Sequence, residues 1–233
     1  MAPYPDDVKM PTQRPYHHGE LRRALLDAAL GILAAEGASA LTLRGIARRA
    51  GVSHQAPYHH FADRAALVAA VAQEGFDRLA IELGRARRTA PGPVERLQAG
   101  GVAYIAFAVR RPELFRIMFG PELADRSAHP GLDHAARQVF AGLLAPASEI
   151  LPSPPVGPDP VGATLWSAVH GLAMLIIDGQ LLGQPRQGRP RSKRAAVAAA
   201  RRLTLAVTER LWFGVERLAR AADGAGAGRS SAR

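Results

Sequence analysis

The chain contains no cysteine, so disulfides, thiolate metal sites and cysteine nucleophiles are all excluded. It contains no asparagine either, and therefore no acceptor for N-linked glycans. Lys9 and Lys193 are the only lysines among 30 Lys+Arg, a bias in keeping with a GC-rich genome. No apolar run approaches the ~18 residues that a membrane helix needs. The opening MAPYPDDVKMPTQRPYHHGE lacks the apolar core of a signal peptide. A soluble, cytoplasmic protein is expected. Nothing matches HExxH, GxSxG, GxxxxGK[ST] or a GxGxxG loop after a strand. His17–His18 and His59–His60 are sequence neighbours, not an i, i+4 metal face. An enzyme reading has no site to stand on, and no metal or cofactor is expected. No segment alternates with period two between turns, so no sheet is expected.

What is present is apolar, basic and helical. Hydrophobic residues make up 48% of 233, enough for a sizeable core. The formal net charge of +10 is unevenly spread. Residues 1–64 hold 8 basic and 6 acidic residues, residues 65–183 hold 10 and 11, and residues 184–233 hold 12 and 3. A basic protein points to a polyanionic partner, but this excess sits in the last segment and does not locate a site.

Helical periodicity runs nearly throughout. Residues 1–15 carry prolines without periodicity and read as a disordered arm. Leu21, Ala24, Leu25, Ala28, Ala29, Ile32 and Leu33 form one stripe of a first helix, ended by Gly37. Thr42 can cap a second helix with Leu43, Ile46, Ala47 and Ala50 inward, stopped by Gly51. Ser53 can cap a third anchored by Phe61, and Asp63 a long fourth with Leu67, Val71, Phe76, Leu79 and Leu83 inward. Further helices are expected after Pro93, over PELFRIMF from Pro112, and after His129–Pro130 with Leu132, Val139, Phe140, Leu143 and Leu144. The last two span Val161–Leu182 and about Ala195–Ala222. SPPVGPDP at 153–160 reads as a rigid connector and 184–194 as a solvated basic loop. DGAGAGRSSAR at 223–233 reads as a disordered tail.

The segment LTLRGIARRAGVSHQAPYHHF, residues 41–61, is two short helices around a glycine turn, the shape of a helix-turn-helix. In that motif the second helix enters the major groove. Helix starts at Thr42 and Ser53 suit phosphate oxygens, and Arg44 suits a phosphate or a guanine edge. Gln55 can pair with adenine and His54 with a base acceptor or phosphate, while Tyr58 and His59 are placed for the backbone. Spacing alone leaves an ordinary all-α reading open, since short amphipathic helices joined by glycine are common. Pro57 argues for a third helix that is short, bent or partly 3₁₀.

The same residues carry a family resemblance. LTLRGIARRAGVSHQAPYHHFADRAAL resembles the helix-turn-helix of TetR-type bacterial transcriptional regulators: Gly51, Val52 and Ser53, then Tyr58, His60 and Phe61, with Arg64 opening the next helix. The departure is Pro57, where an aliphatic residue is usual. RPELFRIMFG at 111–120 and WSAVHG at 166–171 are similar to the TetR subgroup whose C-terminal domain is named for Trp-His-Gly, here Trp166, His170 and Gly171. The resemblance implies a DNA-binding transcriptional regulator, most often a repressor, that binds double-stranded DNA at a palindromic operator as a homodimer and responds to a small-molecule effector. Its DNA-binding set would be Thr42, Arg44, Ser53, His54, Gln55, Tyr58, His59 and Arg64.

The fold expected is all-α, about nine helices, with a three-helix helix-turn-helix domain at 16–65 and a larger ligand-binding and dimerisation domain at 66–222. The eighth and ninth helices are apolar on more than one face, which favours a two-fold interface. The ninth carries Leu203, Val207, Leu211, Val215 and Leu218, with Trp212 and Phe213 beside them. Trp166 and His170 share a helix face. With Phe115, Met118, Phe119 and Phe140 they are the candidates to line an effector cavity, each with ordinary core packing as its alternative. Glu113, Glu122 and Asp125 are expected to be solvated. Two other classes stay open: a general nucleic-acid binder using the basic C-terminal region, and a helical adaptor with a vestigial reader.

Overall fold

The computed structural model describes residues 18–123, 125–149, 160–182 and 192–230. Among these it is all helical. Eight α-helices run in chain order: α1 His18–Glu36, α2 Leu43–Ala50, α3 Arg64–Arg88, α4 Pro93–Arg110, α5 Pro112–Met118, α6 Pro130–Ser148, α7 Pro160–Ile177 and α8 Lys193–Ser230. Short 3₁₀ turns cover Ala38–Ala40, Ala56–His59 and Pro121–Leu123. The arm at 1–15, most of the connector at 153–160 and most of the basic loop at 184–194 lie outside the described residues.

Local chemistry sets the helix ends. The Thr42 hydroxyl accepts from Gly45 N at 3.0 Å, and the Asp63 carboxylate accepts from Ala66 N at 2.8 Å. Both caps satisfy a backbone donor that a helix start leaves free. Gly51, at φ 70°, turns α2 off. Gly51 N donates to Arg48 O and Val52 N to Ala47 O, a Schellman closure. Pro93 and Pro112 occupy first turns, where the missing N–H costs nothing.

The expected third α-helix is instead a single 3₁₀ turn, and the helix count falls from nine to eight among the described residues. Pro57 explains the difference. It disfavours α geometry at Ala56 and cannot donate, so the chain closes i→i+3 bonds: Ala56 N to Ser53 O, Tyr58 N to Gln55 O and His60 N to Pro57 O. The turn is led by Gln55 rather than capped by Ser53. Two more ends differ. α7 stops at Ile177, five residues before Leu182, because Gly179 at φ 74° supplies a second Schellman closure, with Gln180 N on Leu175 O. α8 continues to Ser230, into the tail expected to be disordered. DGAGAGRS holds no proline to interrupt the ladder.

The main core is continuous, with a smaller cluster of Leu97, Ala147 and Leu165 beside it. One buried cluster reaches from Leu25 on α1 through Ile46 on α2, Leu67–Leu83 on α3 and Phe107 on α4 to Ala173 on α7 and Ala200 on α8. α3 crosses the expected 65/66 boundary without a break. Its Gly75 lets α5 lie close, since a Cβ there would sit 2.6 Å from Met118 Sδ and 3.1 Å from Leu114 Cδ1.

Gly51→Ala tests the left-handed cap. An L-residue in that conformation costs about 1–2 kcal/mol, which in a chain of this size lowers Tm by roughly 2–8 °C. An unchanged melting temperature would contradict the assigned backbone.

Candidate nucleic-acid interface and aromatic interior

The reader is built on a buried apolar frame. Leu43, Ile46, Ala47, Pro57 and Phe61 point inward. Thr42, Arg44, Ser53, His54, Gln55, Tyr58, His59 and Arg64, all eight expected DNA contacts, are exposed. Tyr58 is 48% exposed. Arg48 and Arg49 add basic groups to the last turn of α2. Arg49 lies on α1 at Gly31, where a Cβ would come within 2.9 Å of its guanidinium. Arg22 stacks over the Phe61 ring at 5.7 Å.

Arg64 stands apart from the other seven. Its Nε donates to Leu41 O at 3.2 Å, its Nη2 to Ala38 O at 3.2 Å, and its Nη1 to Glu122 at 3.0 Å. The first two acceptors precede α2; the third follows α5. Arg64 therefore ties the reader to the turn after α5. Both side chains are substantially exposed, 44% and 60%, so the ion pair itself stabilises little, and the carbonyl bonds carry the positioning. Glu122 was expected to be merely solvated, as was Glu113, which pairs with Arg116 at 2.6 Å. Asp125 accepts from Ser127 N. None of these partners was visible in the sequence, except Glu113–Arg116, whose i, i+3 spacing announces it.

The six expected effector-cavity residues mostly meet. His170 lies 4.6 Å from the Phe119 ring, 5.5 Å from Phe115 and 5.4 Å from Trp166. Trp166 meets Phe140 edge-on at 5.4 Å. Met118 faces α3 at Gly75. Phe140 is 40% exposed and forms the outer edge. Tyr104, which the sequence did not single out, is fully buried and bonds through its hydroxyl to His170 Nδ1 at 2.9 Å. A tyrosine on the otherwise apolar face of α4 was the available signal, because a buried phenol needs a partner. The rings pack against one another. A separate apolar cavity of about 20 Å³, room for about one water, lies between α4, α6, α7 and α8 beside Leu97, Leu144 and Leu165.

Burial sets the protonation of the pair. It pushes the Tyr104 phenol above its ordinary range, against a weaker opposing contribution from Trp166. It holds His170 below the ordinary 6.5. A neutral His170 shares a single hydrogen bond with the phenol at Nδ1, and the ring tautomer sets which of the two donates. α5 is fixed beside this pair by Arg116, which donates to Ile177 O at 3.1 Å and Asp178 at 2.8 Å.

A depressed histidine fixes the sign of a pH effect. The folded state resists protonation that the unfolded chain accepts near 6.5. The stability contribution of His170 is thus full above that value and lost as pH falls below it. Between about pH 7 and 5, the wild-type Tm should fall more steeply than that of His170→Gln. Parallel curves would show that the imidazole is not the group responsible.

Residues 25–71 match the family model described as bacterial regulatory proteins, tetR family, and residues 97–200 match that of the Tetracyclin repressor-like, C-terminal domain. The curated HTH-type transcriptional regulator BetI of Rhizobium meliloti (strain 1021) is 36% identical over 78 residues, 34% of this chain. The chain spans only 38% of that relative's length. A protein of unknown function from Rhodococcus sp. RHA1 is 32% identical, with a TM-score of 0.68 over 87% of this chain and 98% of that one. PfmR, a TetR family transcriptional regulator from Thermus thermophilus, shares the fold at 19% identity, TM-score 0.50, over 78% of this chain and 94% of its own. Among the described residues no helix is long and apolar enough to cross a membrane. The family is one of regulators, not enzymes. With its reader and its C-terminal region each matched, and the two matches spanning well over half of its length, the chain belongs to the tetR family of bacterial regulatory proteins.

Proposed function

We propose that the chain is a cytoplasmic, ligand-responsive transcriptional repressor that binds a palindromic operator as a homodimer. The observation that carries this reading is the reader itself: eight polar side chains exposed on one short stretch over a buried apolar frame. In this reading residues 16–65 form the reader and 66–222 the effector-binding and dimerisation region. Thr42, Ser53, Tyr58 and His59 hold the phosphate backbone, Arg44 a phosphate or guanine, and His54 and Gln55 base edges. Arg64 has five donors, of which Leu41, Ala38 and Glu122 take three. Two remain for a phosphate without releasing the clamp.

The dimer would form through α7 and α8. Leu175, Leu181 and Phe213 are large apolar residues left 40%, 47% and 59% exposed on or beside those helices, and a stable interface of ~800 Å² per partner would cover them. The effector would enter beside Phe115, Met118, Phe119, Phe140, Trp166 and His170. We also place the chain in the Trp-His-Gly subgroup, supported by the pairing of Trp166 with His170 in the interior and by the adjoining Gly171.

Footprinting upstream of the gene and its neighbours, with excess competitor DNA, should show protection over an inverted repeat whose half-sites are about 34–36 Å apart or a multiple of that. On that operator Gln55→Ala should lose ~1–3 kcal/mol at one base position, and Arg44→Ala should reduce the salt slope by about one. Sequence-blind binding that disappears when the basic C-terminal region is neutralised would overturn the reading. Leu175→Glu with Phe213→Glu should shift the sedimenting species from dimer to monomer, and a monomeric wild type would reject the interface.

A further inference from the structure

The basic excess of residues 184–233 has no part in the reader. Some of it lines a cleft of about 640 Å³ between the end of α4 and the start of α8. It is lined by Arg110, Arg111, Arg194 and Arg201, with Val197 and Ala198. Four arginines, from the end of α4, the residue after it and the start of α8, thus line one cleft. Among the described residues, the ion pairs made by these arginines are both to Glu82 of α3. Arg111 Nη1 lies 2.9 Å from Oε1, and Arg110 holds Oε2. Among the described residues, one paired carboxylate thus meets a cleft lined by four guanidiniums, an excess of positive charge.

One of the four is already held in place. Arg111 is stacked on Phe107 at 5.0 Å as well as paired to Glu82, so its fork is oriented before anything binds. Arg194 and Arg201 are seven residues apart on α8, two helical turns or ~10.5 Å along one face. Packing of α4 on α8 forces these like charges together, an arrangement that costs free energy unless an anion compensates it. Arginines rooted two turns apart on α8 and at the end of α4 can bring separate forks to separate oxygens, which adjacent phosphates offer in greater number than one phosphate does. The volume is that of a small-molecule site.

We infer that the α4–α8 cleft binds a small polyanion bearing adjacent phosphate groups, of the pyrophosphate or nucleoside-polyphosphate class, held by Arg110, Arg111, Arg194 and Arg201. This site is separate from the reader and from the aromatic interior, and it does not depend on the proposed function.

The test is calorimetric titration of pyrophosphate into the full-length protein at ionic strength held constant with sodium chloride. Saturable binding is expected, at least about tenfold tighter than orthophosphate, since a second phosphate engages further forks. Arg194→Gln with Arg201→Gln, which preserves helix-forming residues, should weaken it at least about tenfold. Arg202→Gln, exposed and outside the cleft lining, should leave it unchanged. Circular dichroism confirms that each variant is folded. Absence of saturable pyrophosphate binding, equal affinity for orthophosphate, or equal loss in Arg202→Gln would overturn the assignment. Displacement of pyrophosphate by a short random-sequence duplex, with the double variant losing duplex binding in parallel, would assign the cleft to the DNA backbone and also overturn it.

Discussion

The packing of α3 against α1, α4, α5 and α6 joins the two ends of this molecule. A helix of 25 residues spans ~37 Å, and its buried row from Leu67 to Leu83 contributes to a single core from end to end. Its first turn, capped by Asp63, is tied to the reader by the Arg64 bonds to Leu41 O and Ala38 O, while the helix also meets α4 and α6. Because buried residues on both sides of residue 65 belong to one cluster, the apolar frame of the reader is joined to that of the later helices. Any change in the angle of the reader has to move α3 or distort its packing, and close-packed cores respond to such demands in discrete steps.

α5 is where the aromatic interior meets that helix. It is short, and its place is set by neighbours: Gly75 on α3 leaves room for Met118, and Arg116 holds the end of α7. Phe115 and Phe119 carry the contact to His170, while three residues past Phe119 Glu122 reaches Arg64. On the proposed function, a small group entering among the rings would press on α5 together with α4, α6 and α7, and the turn after α5 touches the reader through the Arg64 clamp. On the proposed function, the effector acts only to the extent that it binds one position of α5 more tightly than another. An exposed Arg64–Glu122 pair contributes little energy, so it can report a position without opposing the change.

The sequence was most legible where physics is local. Thr42, Asp63 and Gly51 act within four residues of themselves, and each cap formed as its residue type demands. The buried rows of α1, α2 and α3 followed from period alone. Local rules also foresaw that Pro57 would disturb the third helix, but not that i→i+3 bonds would replace it altogether. The reading was poorest for contacts across long separations. Tyr104 and His170 are 66 residues apart, and Arg64 and Glu122 are 58. No periodicity pairs such residues, because helix packing alone brings them together. Gly179 shows an intermediate case. Its type permitted either a close helix approach or a stop, and the left-handed backbone settled it as a stop.

Pro57 also bears on how much DNA such a reader can inspect. In an α-helix Ser53 and Pro57, or His54 and Tyr58, would share a face. In a 3₁₀ turn residues three apart eclipse one another, which aligns Gln55 with Tyr58 and Ala56 with His59. The side chain suited to a base edge is thereby stacked with the one suited to the backbone. The four residues Ala56–His59 rise ~8 Å at the 3₁₀ pitch, little more than two base-pair steps of ~3.4 Å. A half-site read through this turn offers few direct contacts. On the proposed function, discrimination must then come from joining two half-sites in one dimer and from the shape of the DNA between them.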